Sequence, residues 1–185
     1  MISVFDMFSI GIGPSSSHTV GPMKAAKLFS DLLISKNLLD NVDRVKTELF
    51  GSLGQTGIGH GTGKAIILGL SGETPEDIPV DSIESIVSEV IANQKISLAG
   101  THVVDFPKDN AIIYHRRKSL PAHANGMTLY AYQNESLILE QTYYSIGGGF
   151  IVEASEFEKE KDKALSLHTS IKRPHLFSSA DELLK

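Results

Sequence analysis

Three serines, a histidine and a threonine stand in a row at Ser15-Ser16-Ser17-His18-Thr19, directly before a stretch with helical periodicity. Hydroxyls, an imidazole and the unpaired N–H groups of a helix start would converge on one point. The helix dipole favours negative charge there, so the chemistry expected is capture of a carboxylate or phosphate. A second reading is a capped, solvent-exposed loop whose serines bond only their own backbone. Spacing by itself leaves both open.

A second candidate is the run from Gly51 to Lys64, with six glycines in fourteen residues and His60 between Gly59 and Gly61. So much glycine implies unusual backbone angles or close approach to a ligand. The run is not a phosphate-binding Gly-x-x-x-x-Gly-Lys-Ser/Thr loop, since Ala65 follows Lys64, and it does not fit Gly-x-Gly-x-x-Gly. A histidine flanked by glycines can titrate near neutral pH and act as an acid or base. The alternative is a flexible loop with an incidental histidine. Two further segments follow. Pro121-Ala122-His123-Ala124-Asn125-Gly126-Met127 puts His123 and Asn125 in a turn before a strand, where they can bond a ligand or simply make an Asn-Gly turn. Tyr143 to Phe150 ends a strand on Gly147, Gly148 and Gly149, a tight turn or a backbone approach to a ligand. His18, His60 and His123 are far apart, and no His-Glu-x-x-His pair or Gly-x-Ser-x-Gly elbow is present. We therefore expect neither a metal site nor a serine hydrolase.

The elements that position these residues can be read from periodicity. Met23, Ala26, Phe29 and Leu33 form a buried stripe that predicts a helix from about Val20 to Ser35, with Ser17 or Thr19 as cap and Pro22 in the first turn. Val45, Thr47 and Leu49 alternate with Lys46, Glu48 and Phe50, a strand. Gly51 to Gly63 reads as loop and Ala65 to Leu70 as a short helix. Asp81-Ser82-Ile83-Glu84 resembles a capping box before an amphipathic helix through Ile91. Strands are expected at 101–106, 111–115, 127–132 and 137–145, with turns at Asp109-Asn110 and Gln133-Asn134. His115-Arg116-Arg117-Lys118 reads as a solvated hairpin end. Helices and strands are partly segregated, which predicts an α+β fold with helices packed on one face of a mixed sheet. From Glu153 onward the composition changes, and Glu156 to Lys163, dense in both charges, reads as solvated helix or linker. Ser179-Ala180-Asp181-Glu182 then reads as a fresh helix start, which implies a chain that stops inside its next element.

Composition narrows the function class. Of 185 residues 41% are hydrophobic and 21% charged, enough for a core, and the net charge is −5, which argues against a nucleic-acid partner. No run approaches the ~20 apolar residues of a membrane span. The N-terminus lacks a signal-peptide pattern, so the expectation is a cytoplasmic protein without a membrane partner. There is no cysteine, hence no disulfide, no thiol nucleophile and no cysteine-held metal within these residues.

Taken together and in order, Ile2-Ser3-Val4-Phe5-Asp6-Met7-Phe8, Ile12-Gly13-Pro14-Ser15-Ser16-Ser17-His18-Thr19-Val20-Gly21-Pro22, Gly59-His60-Gly61-Thr62, His123-Ala124-Asn125-Gly126-Met127 and Tyr143 to Phe150 resemble the β domain of the bacterial iron–sulfur L-serine dehydratases. The resemblance covers about residues 1–153. It makes 154–185 a linker and the start of a cluster-bearing α domain. It implies β-elimination of water from L-serine, giving pyruvate and ammonia, in a single-chain protein. A 4Fe–4S cluster on that α domain would act as Lewis acid, and none would be bound by this chain alone. At matching positions it implies His60 as general base. Ser15, Ser16, Ser17, His18 and Thr62 would bind or orient the substrate carboxylate, with His123 and Asn125 completing the pocket. It also implies a homodimer, and a fold similar to the regulatory substrate-binding domain of some phosphoglycerate dehydrogenases. One position departs from the family pattern: an aspartate commonly follows the threonine of the His60 loop, and here Gly63 stands there. Two other readings compete: a non-catalytic regulatory domain binding serine or a small carboxylate, which needs no base, and a dimerisation domain without ligand.

Overall fold

The computed structural model describes residues 12–157 of the chain. By contact density the chain divides into two units, Met1–Ala154 and Ser155–Lys185. The first holds every element discussed below. The helix start expected at Ser179–Glu182 lies outside the described residues.

Four α-helices and seven strands occur among the described residues: α1 (Gly21–Ser35), β1 (Arg44–Leu49), α2 (Gly51–Thr56), α3 (Thr62–Leu70), α4 (Ile83–Asn93), β2 (Lys95–Leu98), β3 (His102–Asp105), β4 (Ile112–Tyr114), β5 (Gly126–Gln133), β6 (Ser136–Gly147) and β7 (Phe150–Glu153). The strands form one mixed sheet in the order β2-β3-β1-β5-β6-β7. β3 and β4 both pair β1 in parallel, β3 at Arg44 and β4 from Thr47 to Leu49. β5 pairs the whole of β1 antiparallel, from Arg44↔Tyr132 to Leu49↔Met127. β1 is thus the central strand, and the residues that follow its C-terminal end are held from both sides. This is the expected α+β architecture with a mixed sheet.

Alternation along β1 buries Val45, Thr47 and Leu49 and leaves Arg44, Lys46 and Glu48 half-exposed on the other face. The core joins Val45 and Leu49 to Met23, Phe29 and Leu33 of α1, Ile66, Leu68 and Leu70 of α3, Val87 and Val90 of α4, and Met127, Leu129 and Tyr143 of the sheet. Each fully buried Leu, Phe or Met contributes roughly 1.5–3 kcal/mol. α1 and α3 approach to backbone contact, since a Cβ on Gly69 would lie 2.2 Å from the Met23 carbonyl oxygen. That crossing sets the distance between the two loops that precede these helices, and both loops carry candidate site residues.

Several local expectations are corrected. The first helix begins after a π-turn, Ser16–Val20, capped by Ser15 rather than by Ser17 or Thr19. The Ser15 carbonyl accepts from both Thr19 N (3.0 Å) and Val20 N (3.3 Å), so the last two residues of the serine run enter helical geometry early. The Gly51–Gly63 loop contains α2. Gly51 starts it at φ +57, and the helix backbone packs so tightly that a Cβ on Gly54 would meet the His115 carbonyl oxygen at 2.4 Å. The capping box at Asp81–Glu84 does not form: Ser82 makes no side-chain cap and instead donates to the Pro79 carbonyl. His115 is no solvated hairpin end. It stacks on Phe50 (centroids 4.8 Å apart) and sits 3.3 Å from Glu48 Oε2, while Arg116–Lys118 are exposed. The β5–β6 turn is Asn134-Glu135, both at positive φ as a two-residue hairpin loop requires. β2 and β7 were not expected at all. Gly148 and Gly149, also at positive φ, form the turn that lets β7 return along β6.

Candidate functional site

The serine run and the His60 segment lie against each other. The His18 and His60 rings are 4.8 Å apart, centroid to centroid, tilted by 39°. Their backbones are tied by two crossed hydrogen bonds. Thr19 Oγ1 donates to the His60 carbonyl (2.9 Å), and Thr62 Oγ1 donates to the His18 carbonyl (2.6 Å). Both threonines are buried. Each histidine is therefore held by the threonine that neighbours the other.

The ring nitrogens have distinct partners. His60 Nδ1 is 3.0 Å from the Thr56 carbonyl oxygen. A carbonyl can only accept, so Nδ1 is the donor in this bond, and the tautomer of the uncharged ring that fits it has its lone pair on Nε2. The His60 ring is half-buried. His18 is engaged on both edges, by Ser17 Oγ on Nδ1 (2.9 Å) and Ser52 Oγ on Nε2 (3.0 Å). Burial lowers the His18 pKa below its ordinary value. The neighbouring His60 lowers it further, and the contact with Ser52 acts in the opposite direction. Ser15 Oγ accepts from His18 N (3.2 Å) and lies 3.4 Å from Ser17 Oγ. Ser16 is exposed beside them.

The Pro121–Met127 turn reaches this group through α2. Gly51 N donates to the Lys118 carbonyl and Ser52 N to the Ala124 carbonyl, each at 2.8 Å. His123 Nδ1 accepts from Asn125 N at 3.1 Å. The Asn125 side chain donates to the Ser145 carbonyl at 3.1 Å, and Ser145 N returns a bond to the Asn125 carbonyl at 3.0 Å. In this arrangement the Asn125 amide group holds the turn to β6. The structure thus brings Ser15, Ser17, His18, His60 and Thr62 into direct contact and places His123 and Asn125 on the turn bonded to α2. The space beside Gly63 is filled by Tyr114: a Cβ on Gly63 would meet the Tyr114 hydroxyl oxygen at 2.6 Å. Burial raises the Tyr114 pKa, opposed by its contact with the Gly63 backbone.

Sequence reasoning passed over Ser52, and it placed Thr19 in the candidate run without its bond to the His60 segment. Thr19 stood inside the quoted motif, but its bond to the His60 segment spans 41 residues. Ser52 lies 34 residues from His18 and inside a stretch read as loop. Among the described residues no group of three or more His, Cys, Asp or Glu side chains could hold a metal ion, and the chain has no cysteine. Its own residues do not fit an iron–sulfur cluster. No helix among the described residues is long and apolar enough to cross a membrane.

Comparison with known proteins adds a family. A profile described as "Serine dehydratase beta chain" matches residues 3–156. An L-serine dehydratase of Streptomyces coelicolor is 51% identical over the whole of this chain, which covers 40% of that relative. L-serine dehydratase 1 of Escherichia coli is 49% identical over the whole chain and 39% of its own length. An L-serine dehydratase of Helicobacter pylori is 38% identical over 99% of the chain and 39% of the relative. The chain thus spans about two fifths of the length of these relatives.

Proposed function

The chain belongs to the serine dehydratase beta chain family, and from that premise we propose that it is the substrate-side domain of an iron–sulfur L-serine dehydratase. The reaction is loss of water from L-serine to give 2-aminoacrylate, which then hydrolyses to pyruvate and ammonia. The observation that carries this reading is the hydrogen bond of His60 to α2. Its Nδ1 is committed to the Thr56 carbonyl, so Nε2 is the nitrogen through which the uncharged ring would take the α-proton, the step for which a positioned base is needed.

The electron pair left by that proton forms the Cα–Cβ double bond as hydroxide departs from Cβ. The α-proton is weakly acidic, and donors around the substrate carboxylate make its removal easier by offsetting the charge that builds up. Ser15, Ser16 and Ser17 offer hydroxyls for this at the mouth of the π-turn. His18 and Thr62 shape its floor, and His123 and Asn125 close the pocket from the turn bonded to α2. The 4Fe–4S cluster belongs to a cysteine-bearing α domain elsewhere in the protein, since the residues of this chain do not fit it. The same reading places the domain boundary near residue 153, with residues 154–185 leading into that α domain. It makes the whole protein a cytoplasmic homodimer, and gives the domain a fold akin to the regulatory domain of some phosphoglycerate dehydrogenases.

The test uses the intact protein prepared without oxygen and assayed for pyruvate from L-serine. His60→Ala is expected to lower turnover by roughly 10²–10⁴-fold with cluster content unchanged, the range for loss of a general base. Near-normal turnover in the variant would remove His60 from that role. If the intact, cluster-loaded protein makes no pyruvate, the dehydratase reading fails and a regulatory carboxylate-binding domain takes its place.

A further inference from the structure

The short helix α2 carries two contacts to the histidine pair. Ser52, in its first turn, meets His18 Nε2 at 3.0 Å. Thr56, at its last residue, receives His60 Nδ1–H on its carbonyl at 3.0 Å. Positions four apart lie on one face of a helix, one above the other, and Thr56 Oγ1 bonds the Ser52 carbonyl at 2.9 Å. One helix therefore touches both imidazoles, through a side chain of its first turn and a carbonyl of its last residue.

The two partners of the His18 ring differ in what they can fix. Ser17 is its chain neighbour and moves with the same π-turn, so it cannot hold the ring relative to the rest of the fold. Ser52 stands on a separate element anchored at three points. Gly51 N bonds the Lys118 carbonyl, Ser52 N bonds the Ala124 carbonyl, and Gly54 packs on the backbone of His115. An imidazole with a partner on one edge alone can turn about its Cβ–Cγ bond, whereas partners on both edges fix its plane.

We propose that Ser52 is a positioning residue of this site: its hydroxyl sets the plane of the His18 ring against His60, from the same helix whose last residue bonds His60 Nδ1. With both nitrogens of His18 occupied, His18 is a fixed neighbour of the base rather than a competing one. Burial and the proximity of His60, which both disfavour a proton on His18, agree with that role. The catalytic consequence rests on the reading of His60 as the base.

Two measurements test the proposal. The first is the ¹⁵N spectrum of the histidine rings in the 185-residue chain and in Ser52→Ala and Ser52→Thr. The His18 ring signals are expected to be sharp in the parent chain, shifted and broadened by ring motion in Ser52→Ala, and close to those of the parent in Ser52→Thr, which keeps the hydroxyl. The second is pyruvate formation by the intact protein with the same substitutions. Ser52→Ala is expected to lower kcat about ten- to hundredfold, the range for misplacing a supporting group. KM should change less than kcat, and Ser52→Thr should recover most of the loss. An unchanged His18 spectrum in Ser52→Ala overturns the positioning role. A released ring with unchanged kcat overturns its catalytic consequence. Equal losses in both variants would mean that packing at the start of α2, and not the hydroxyl, is what matters, and would also overturn it. If the intact parent protein makes no pyruvate, the dehydratase reading is what fails, and the ring spectra still decide whether Ser52 sets His18.

Discussion

Thr19 and Thr62 should behave as one lock, and a double-mutant cycle can show it. Thr19 is 4% exposed and Thr62 0%, and each donates to the backbone carbonyl of the opposite histidine. Thr→Val keeps the shape and removes the buried donor, leaving a part-buried carbonyl without its partner. Each single substitution should cost about 1–3 kcal/mol, the range for an unsatisfied buried group. The two bonds close the same pair of backbones at a spacing of two residues on one side and one on the other. Once either is gone the segments can part, and the second bond then adds less. The double variant should therefore be less destabilised than the sum of the singles by about 1 kcal/mol, within the ~0.5–3 kcal/mol seen for residues sharing a network. Urea unfolding of the 185-residue chain measures this, with equal m-values confirming that the denatured states are comparable. Additivity to within ~0.5 kcal/mol, the behaviour of independent sites, would refute the coupling and with it the claim that the crossed bonds hold the histidines together.

Two other outcomes follow from the same geometry. Gly51 sits at φ +57 with no room for a side chain, since a Cβ would lie 2.1 Å from the Ala124 carbonyl oxygen. Gly51→Ala adds a left-handed cost of roughly 1–2 kcal/mol to that clash, so the melting temperature should fall by at least about 4 °C; an unchanged value would show that the turn adapts freely. The His18 pKa is held below its ordinary value by burial and by His60. The unfolded chain therefore takes up the proton first as pH falls. The contribution of His18 to stability is complete above pH 6.5 and is lost as pH drops from there toward its folded pKa. Denaturation midpoints of His18→Gln should accordingly depend less on pH than those of the parent between about pH 7 and 5, and an equal dependence would rule out the shift.

The parts of the fold that were legible are those written in local spacing. The stripe Met23–Ala26–Phe29–Leu33 buries one face of α1, and the alternation Val45–Thr47–Leu49 gives β1 a buried and a half-exposed face. Both patterns follow from the repeat of the backbone, so they survive without knowledge of any neighbour. α2 was missed because glycine normally disfavours a helix. Here Gly51 and Gly54 are what allow the helix, because it must pass within van der Waals reach of the Ala124 and His115 carbonyls. β7 exists only because the turn at Gly148-Gly149 brings Phe150–Glu153 back onto β6. Its four residues carry no pattern strong enough to declare a strand alone.

The candidate site divides the same way. Residue types and their order determined which segments are candidates for chemistry: a serine–histidine run before a helix, a histidine among glycines, and a His-x-Asn turn. Those are short-range properties and they mark the family as well. The relation among them was decided only by tertiary structure. α1 and α3 cross at Gly69 and bring two segments about forty residues apart into contact. β1 then delivers α2 beneath both rings. The sequence could name His60 as an acid–base candidate and His18 as part of an anion pocket. Which of them keeps a free nitrogen depends on the hydroxyls and carbonyl that face them, and Ser52, on the other side of β1 in the chain, enters the site only when the chain is folded.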